Sequence, residues 1–586
     1  MSELTQMTSW DFTDLGADYT DKEYPLILEK IDELVKHFVS QKEILSESIP
    51  ADTFVSLVKE KEILGFSLFK IQLHAYLKSS QNTQDEMTKQ FLRKTEELSS
   101  NISNKTRFFH QWFIKLPQEK AYELADAMGD DAYVYKKQYD AGKHVLSEKE
   151  ENILSLKDTT GSSFLISLYD SITSKFSFDF DGKTQTLTQM RQYMLGEDRQ
   201  KRKEATQLIK QKFSENMHIL GDLYQTVTKD YVTEVLDLRK YESVMHVRAR
   251  KEDITVPAVL ALMDAAKESN HIFQDFFKLK AKYMKLDTFE LYDSYAPIVL
   301  TKKENISYDE AITHILAMLE SVSPQYKEYV IDLIKSKRID SQFHEHKRSG
   351  AFNYGMSNGY KPFVFMQYLG EERDMFTLAH ELGHAIHSML TKDRSSATSH
   401  PSIGIAESAS TFLEEMLAQH LFDSYPKEKQ IELLFTQVLD AYQTIQRQIY
   451  ISIFEKDAHE MIQKGTTNKE LHAKWTQLQK EQFGDSVSID DELISWSYIP
   501  HIYHTPFYCY NYGIGLILAM IFVEQYNENK EEFLIKYNKY LSAGGSMGMV
   551  DTAKIMGVDL EDPATWKRGY GLIEKKLAQL KDLLEK

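Results

Sequence analysis

Two imidazoles and a carboxylate fall within five residues of one stretch, Phe376-Thr377-Leu378-Ala379-His380-Glu381-Leu382-Gly383-His384-Ala385-Ile386-His387. His380 and His384 are four apart, so on an α-helix both rings leave the same face one turn apart, where two neutral nitrogens can hold one Zn²⁺ at about 2.0–2.1 Å. In this H-E-x-x-H pattern Glu381 does not ligate. It takes a proton from a water whose pKa the metal has lowered towards about 7, which is chemistry that hydrolyses amides.

Catalytic zinc needs three protein ligands and an open position. His387 is seven residues from His380, and a rise of about 1.5 Å per residue puts its Cα roughly 10 Å along the axis, too far for one tetrahedral ion. A better source is the second helical pattern, Ile403-Gly404-Ile405-Ala406-Glu407-Ser408-Ala409-Ser410-Thr411-Phe412-Leu413-Glu414-Glu415, which follows the Ser395–Pro401 loop. Glu407 and Glu414 share one face there, and carboxylates turned inward among Ala, Phe and Leu need partners. Glu407 is therefore the expected third ligand. Glu414 is expected to bond the free nitrogen of a ligand histidine and fix its tautomer, with His387 packing in support. The competing reading is two surface glutamates on an amphipathic helix.

A tetrahedral intermediate also needs donors for its oxyanion. Pro500 to Gly513 packs His501, His504, Tyr503, Tyr508, Tyr510 and Tyr512 into one short span. His501, His504, Tyr508 and Tyr510 are the candidates, against a purely structural aromatic cluster. Cys509 has no evident base nearby and neighbours that predict burial, so it is a poor nucleophile. The glycine-dense stretch Leu541–Met549 lacks the Lys-Ser/Thr ending of a phosphate-binding loop and is expected to be a mobile loop over the cleft. His246 and His271 stand alone and receive no role.

The elements that position these groups are mostly helical. Apolar residues recur at helical steps from about 21 to 99, as in Leu26, Ile27, Ile31, Leu34, Val35 and Phe38, with breaks expected at Pro50–Asp52, at Ser79–Asn82 and at Leu116-Pro117. Charge runs such as Lys59–Glu62 read as solvated faces. Alternation around Asp181-Gly182 predicts a hairpin over 176–188, and a soft domain boundary is placed near residue 190: an N-terminal helical domain 1–190, then a catalytic domain 191–586. Helical patterning resumes from Thr188. Arg348–Gly355 and Tyr360–Tyr368 read as two strands before the zinc helix, Pro362 marking an edge strand. An exposed edge there would offer its backbone to an extended peptide.

Composition sets the outer limits. The chain has 586 residues, 42% hydrophobic and 27% charged, with 24 Gly and 12 Pro, which is globular and favours helices over turn-rich β structure. A net charge of −18 repels a phosphate backbone, so nucleic acid is not an expected partner and neutral or cationic substrates fit better. Cys509 is the only cysteine, so no intrachain disulfide is possible. The first ten residues have neither a basic nor an apolar leader region, and the longest uncharged apolar run, Gly513–Val523, is about half a bilayer span. The expectation is a cytoplasmic protein without a membrane segment.

Taken together, these residues resemble the oligoendopeptidase F family of zinc metallopeptidases, relatives of thimet oligopeptidase. The likeness covers most of the chain. It rests on Ser349–Phe352, Met366-Gln367-Tyr368, Phe376–His387, Glu407 with Glu414, the His/Tyr cluster and Ala543-Gly544-Gly545-Ser546. It implies a mainly α, elongated multi-helix molecule with a deep internal channel and a small β-sheet beside the zinc helix. It also implies one Zn²⁺ per chain on His380, His384 and Glu407, Glu381 as general base, and oxyanion donors from the segment like residues 501–512. The substrates would be short unstructured peptides. The rival readings are a non-catalytic peptide-binding protein of the same fold, a zinc carboxypeptidase, and a helical scaffold with an accidental motif.

Overall fold

The computed structural model describes residues 6–16, 18–302, 304–490 and 493–586. Helices dominate these residues. Five short strands interrupt them: β1 (Ser177–Phe180), β2 (Lys183–Thr186), β3 (Ile339–Asp340), β4 (Phe352–Tyr354) and β5 (Phe363–Phe365). The chain divides into two compact units, each discontinuous in sequence. The first combines Met1–Lys143, Lys303–Leu421 and Glu531–Met556; the second combines His144–Lys302, Phe422–Lys530 and Gly557–Lys586. No boundary between the units falls near residue 190; the β1–β2 hairpin belongs to the same unit as the helices on both sides of it.

In the first unit the expected bundle forms as Tyr24–Ser40, Ala51–Gln81 and Glu86–Phe113. Ile31, Val35 and Phe38 make the buried stripe of the first helix, three and four residues apart, while Leu26 is exposed. The turn expected at Ser79–Asn82 starts late. The second helix runs through Ser79, Ser80 and Gln81, with the Ser80 hydroxyl donating to the Tyr76 carbonyl (2.9 Å) and the Asn82 N–H to that of Lys78 (3.2 Å). Asp85 then caps the third helix by accepting from the Met87 N–H (3.0 Å).

The three-stranded sheet has the order β3-β5-β4, with β3 parallel and β4 antiparallel to β5. This corrects one expectation: β5 is the central strand, not an edge. Pro362 lies just before the strand, where its missing N–H costs no ladder bond. Phe363, Val364 and Phe365 are fully buried. Trp10, Leu73 and Leu77 pack beneath Phe363 and Phe365, and the Trp10 indole N–H reaches the Val364 carbonyl (2.9 Å), so the long second helix and the chain start together back the sheet. The outer edge on the side of the zinc motif is β4.

In the second unit β1 and β2 pair antiparallel around Asp181 (φ 54°) and Gly182 (φ 71°), the two left-handed residues a two-residue hairpin turn needs. The apolar run Gly513–Val523 lies in the helix Tyr510–Glu528 and is almost wholly buried. Among the described residues no helix is long and apolar enough to cross a membrane.

Candidate metal centre and hydrolytic site

The helix Glu372–Thr391 carries the H-E-x-x-H motif. It starts on a reciprocal cap between Glu371 and Asp374 and buries Leu378, Ala379, Leu382, Ala385 and Ile386. Ile403–Phe422 lies against it. Gly383 sets that approach, since a Cβ there would fall 2.6 Å from Ser410 Cα and 2.7 Å from the Ala409 carbonyl oxygen. Two backbones this close let short side chains from both helices meet.

His380, His384 and Glu407 each direct one donor atom to a common point, all within 4.8 Å of one another. Glu407 Oε2 is 3.5 Å from His380 Nε2 and 3.7 Å from His384 Nε2. Ligands at about 2.1 Å from a tetrahedral ion stand roughly 3.4 Å apart, so the donor set fits zinc. His380 turns its other nitrogen, Nδ1, to Glu414 Oε1, and Ser410 Oγ–H donates to Glu407 Oε2 (3.3 Å). Glu407 thus stands at the donor point and Glu414 behind the His380 ring.

Burial works against charge on His380, but the hydrogen bond and charge of Glu414, then Glu407 and Glu381, overcome it and raise its pKa to about 9. Burial, reinforced by His380 and His387, pushes His384 well below the usual histidine range; burial, partly offset by His380 and the Ser410 hydrogen bond, raises Glu407 above the usual carboxylate range. Glu381 rises to about 7, mainly through burial. Its Oε2 is buried and has no hydrogen-bond partner among the described residues. These groups open on a cavity of ≈ 420 Å³ that β4 borders through Phe352, Asn353 and Gly355. His387 reaches no donor atom of the set. It is buried, and its Nε2 has no hydrogen-bond partner among the described residues.

In the second unit the residues of 501–512 separate. His501, Tyr508 and Tyr512 form one group: His501 Nε2 is 3.3 Å from the Tyr512 hydroxyl, the His501 and Tyr508 rings are parallel at 6.2 Å, and Tyr508 meets Tyr512 edge-on at 5.3 Å. His504 turns instead to Asp170 (3.0 Å). Tyr510 is fully buried. The helix starting at Tyr510 fixes that outcome, because its first residue faces inward and Tyr512, two further on, faces out. Tyr512 was not among the candidates.

The model of peptidase family M3 matches residues 192–572. The chain belongs to that family. This M3 peptidase is similar, at 27% identity over the whole chain and 99% of the relative, to an oligoendopeptidase F homolog of Borreliella burgdorferi. It is also 25% identical to the oligopeptidase PepF of Bacillus subtilis, over all of this chain and 88% of the relative, and 26% identical to the chromosomal oligoendopeptidase F of Lactococcus lactis, over all of this chain and 98% of the relative. A solved chain from Chlamydophila abortus shares the fold at a TM-score of 0.88 and 22% identity, covering 100% of this chain and 99% of that one. Oligoendopeptidase F from Enterococcus faecium shares it at 0.67 and 20%, covering 95% and 98%. The protein is thus a mainly α metalloendopeptidase that acts on peptides.

Two other stretches of this peptidase are structural. The glycine-dense segment is held down, which corrects the expectation of a mobile loop. The Gly545 N–H donates to the Thr398 carbonyl (2.8 Å), Arg394 Nε donates to the Ser542 carbonyl, and a Cβ on left-handed Gly544 would lie 2.3 Å from the Thr398 oxygen. Asp131 Oδ1 accepts from Ser395 Oγ (2.7 Å) and Thr398 Oγ1 (2.8 Å) of the same 395–401 loop. Cys509 is fully buried, and burial pushes its thiol up, away from the reactive thiolate.

Proposed function

We propose that this M3 peptidase is a zinc-dependent endopeptidase for short unstructured peptides, working in the cytoplasm, with Glu381 as general base. The observation that carries the reading is the convergence of His380, His384 and Glu407 beside the buried carboxyl of Glu381. Zinc held by these three would polarise the scissile carbonyl and acidify the attacking water. The Glu381 carboxylate takes a proton from that water as the new O–C bond forms, then passes it to the leaving nitrogen as the C–N bond breaks. Glu414 keeps His380 turned so that Nε2 faces the donor point. The open edge of β4 supports docking of an extended peptide by strand addition. His501 and Tyr508, joined by Tyr512, are the proposed donors to the oxyanion; His504 and Tyr510 lose support from their ion pair and their burial.

The experiment is cleavage of internally quenched peptides of graded length, blocked at both ends, with a chelator and then with zinc restored. Chelation should abolish cleavage, zinc should restore it, and product masses should show internal cuts. Glu381→Gln should keep one zinc per chain while kcat falls by about a hundredfold or more. A Glu381→Gln enzyme with wild-type kcat sinks the general-base assignment, and products shortened only from a free C-terminus would make the protein a carboxypeptidase.

A further inference from the structure

The turn before the helix Tyr510–Glu528 holds its backbone in a strained form. Phe507 is left-handed (φ 58°) and fully buried. Among the described residues the other left-handed positions outside glycine are Asp, Asn and Lys, none of them buried. A bulky side chain crowds the backbone in this region, so the conformation persists only where surrounding contacts impose it.

Those contacts fall on three consecutive residues. Arg248 Nε donates to the Pro506 carbonyl (3.4 Å), the Phe507 N–H donates to Glu455 Oε1 (2.9 Å), and Asn511 Nδ2 donates to the Tyr508 carbonyl (2.9 Å). The Phe507 ring meets His459, one turn after Glu455 on the helix Arg447–Gln463, at 4.8 Å between centroids. Glu455 is fully buried, and Arg248, also buried, donates through Nη1 to Glu252 (3.0 Å). The same guanidinium lies over the Tyr508 ring, 5.4 Å from its centroid, in a cation–π contact. Tyr508 in turn lies parallel to His501 at 6.2 Å and edge-on to Tyr512 at 5.3 Å. Relaxing Phe507 to the right-handed region would turn the chain by about 120° around one bond, and Tyr508 is the next residue.

We propose that Glu455 and Arg248 are positioning residues for the reaction: their bonds to the Phe507 N–H and the Pro506 carbonyl hold the 505–508 turn in its left-handed form and so aim the Tyr508 side chain. This rests on the reading of Tyr508 as a donor to the oxyanion. Both residues act through Tyr508. An oxyanion donor works only where it meets charge that develops in the transition state, so a loosened turn should slow the chemical step and leave peptide binding and metal content alone.

The test is a mutant cycle of Glu455→Met, Tyr508→Phe and the pair, each loaded with zinc and assayed for kcat and KM on a blocked quenched peptide, with Glu455→Gln in parallel. Met fills similar space without an acceptor, whereas Gln keeps the acceptor. Glu455→Met should lose roughly tenfold in kcat with KM within about twofold and one zinc per chain, Glu455→Gln should stay within about threefold of the wild type, and Tyr508→Phe should lose about a hundredfold. The double variant should lose no more than Tyr508→Phe alone, which a general loss of stability would not produce. Wild-type kcat in Glu455→Met, an equal loss in Glu455→Gln, or losses that multiply in the double variant would overturn the proposal. Should Glu455→Met fail to fold, Arg248→Lys keeps a charge for Glu252, loses the guanidinium's reach to Pro506 and carries the same expectation. Tyr508→Phe separates the two ideas. At wild-type kcat it removes the oxyanion reading and the proposal with it; if it is slow while Glu455→Met stays fast, only the positioning fails.

Discussion

His380 and Glu414 meet across two helices, ring Nδ1 against Oε1, thirty-four residues apart in sequence. The contact leaves Nε2 as the only ring nitrogen able to face Glu407 and His384. A carboxylate behind a ligand ring also raises its basicity.

Glu414→Gln should therefore weaken zinc binding by about ten- to a hundredfold, and Glu414→Ala by at least as much. Competition titration with a chromophoric chelator measures it. At saturating zinc kcat should recover most of its value, because Glu414 does not reach the reacting atoms. Wild-type zinc affinity in Glu414→Ala would refute this role.

Gly383→Ala tests the close approach of the two helices. The new methyl would meet the Ser410 Cα and the Ala409 carbonyl, both backbone, so no side chain can turn aside. Overpacking of this kind costs about 1–3 kcal/mol, and here it would move Glu407 and Glu414 away from both histidines. Thermal unfolding should show a lower Tm, and zinc affinity should fall together with it. Gly557→Ala, at a left-handed glycine with open space around it, controls for backbone strain without crowding.

Much of the metal centre was legible because helix geometry is short-ranged. The i,i+4 histidines and the i,i+7 glutamates each needed only one helix to be read. That the two glutamates share a face followed from their spacing, but which of them stands at the donor point depends on how the two helices pack. The joints were not legible. Pro362 pointed to an edge strand because β3 comes from residues 339–340, and a two-residue parallel strand leaves no period in the sequence. Tyr510 and Tyr512 could not be told apart without knowing where the helix begins, because a shift of two residues turns a side chain through more than half a turn. The glycine-dense segment gave composition alone, and the same glycines that permit motion also permit the close fit against Thr398. The two units, finally, are woven from six segments, and local patterning does not record which distant segments pack together.

Cys509 gives a clean probe of burial because it is the only thiol. Its thiol pKa is raised by burial and the side chain is fully enclosed. The native enzyme should react with a colourless disulfide reagent at least about a thousandfold more slowly than the denatured chain, on the scale of its unfolded fraction. Cys509→Ala should keep kcat within about twofold, while costing around 1 kcal/mol through lost packing. Fast labelling of the folded enzyme would contradict the enclosed position.

Glu455 yields a pH dependence with a definite sign. It is fully buried, accepts the Phe507 N–H on Oε1 (2.9 Å), leaves Oε2 unpartnered among the described residues, and is raised to about 8 by burial, partly offset by the Phe507 hydrogen bond and then by Arg248. Phe507 itself is left-handed (φ 58°), and Arg248 spans from Glu252 (3.0 Å) to the Pro506 carbonyl (3.4 Å) with Tyr508 under its guanidinium (5.4 Å to the ring centroid), so Glu455 lies below the turn that carries Tyr508. The folded state binds the Glu455 proton more tightly than the unfolded state, whose pKa is about 4.3. Stability from this group is thus complete below about pH 4 and is lost as pH rises towards about 8. Glu455→Gln keeps an acceptor for Phe507 and cannot ionise, so its Tm minus that of the wild type should grow from pH 5 to pH 8 and then level off, by the equivalent of a few kcal/mol at most. Calorimetry at matched ionic strength measures the difference. A constant Tm difference across that range would mean that Glu455 is ionised in the folded enzyme and that its charge is met by Arg248.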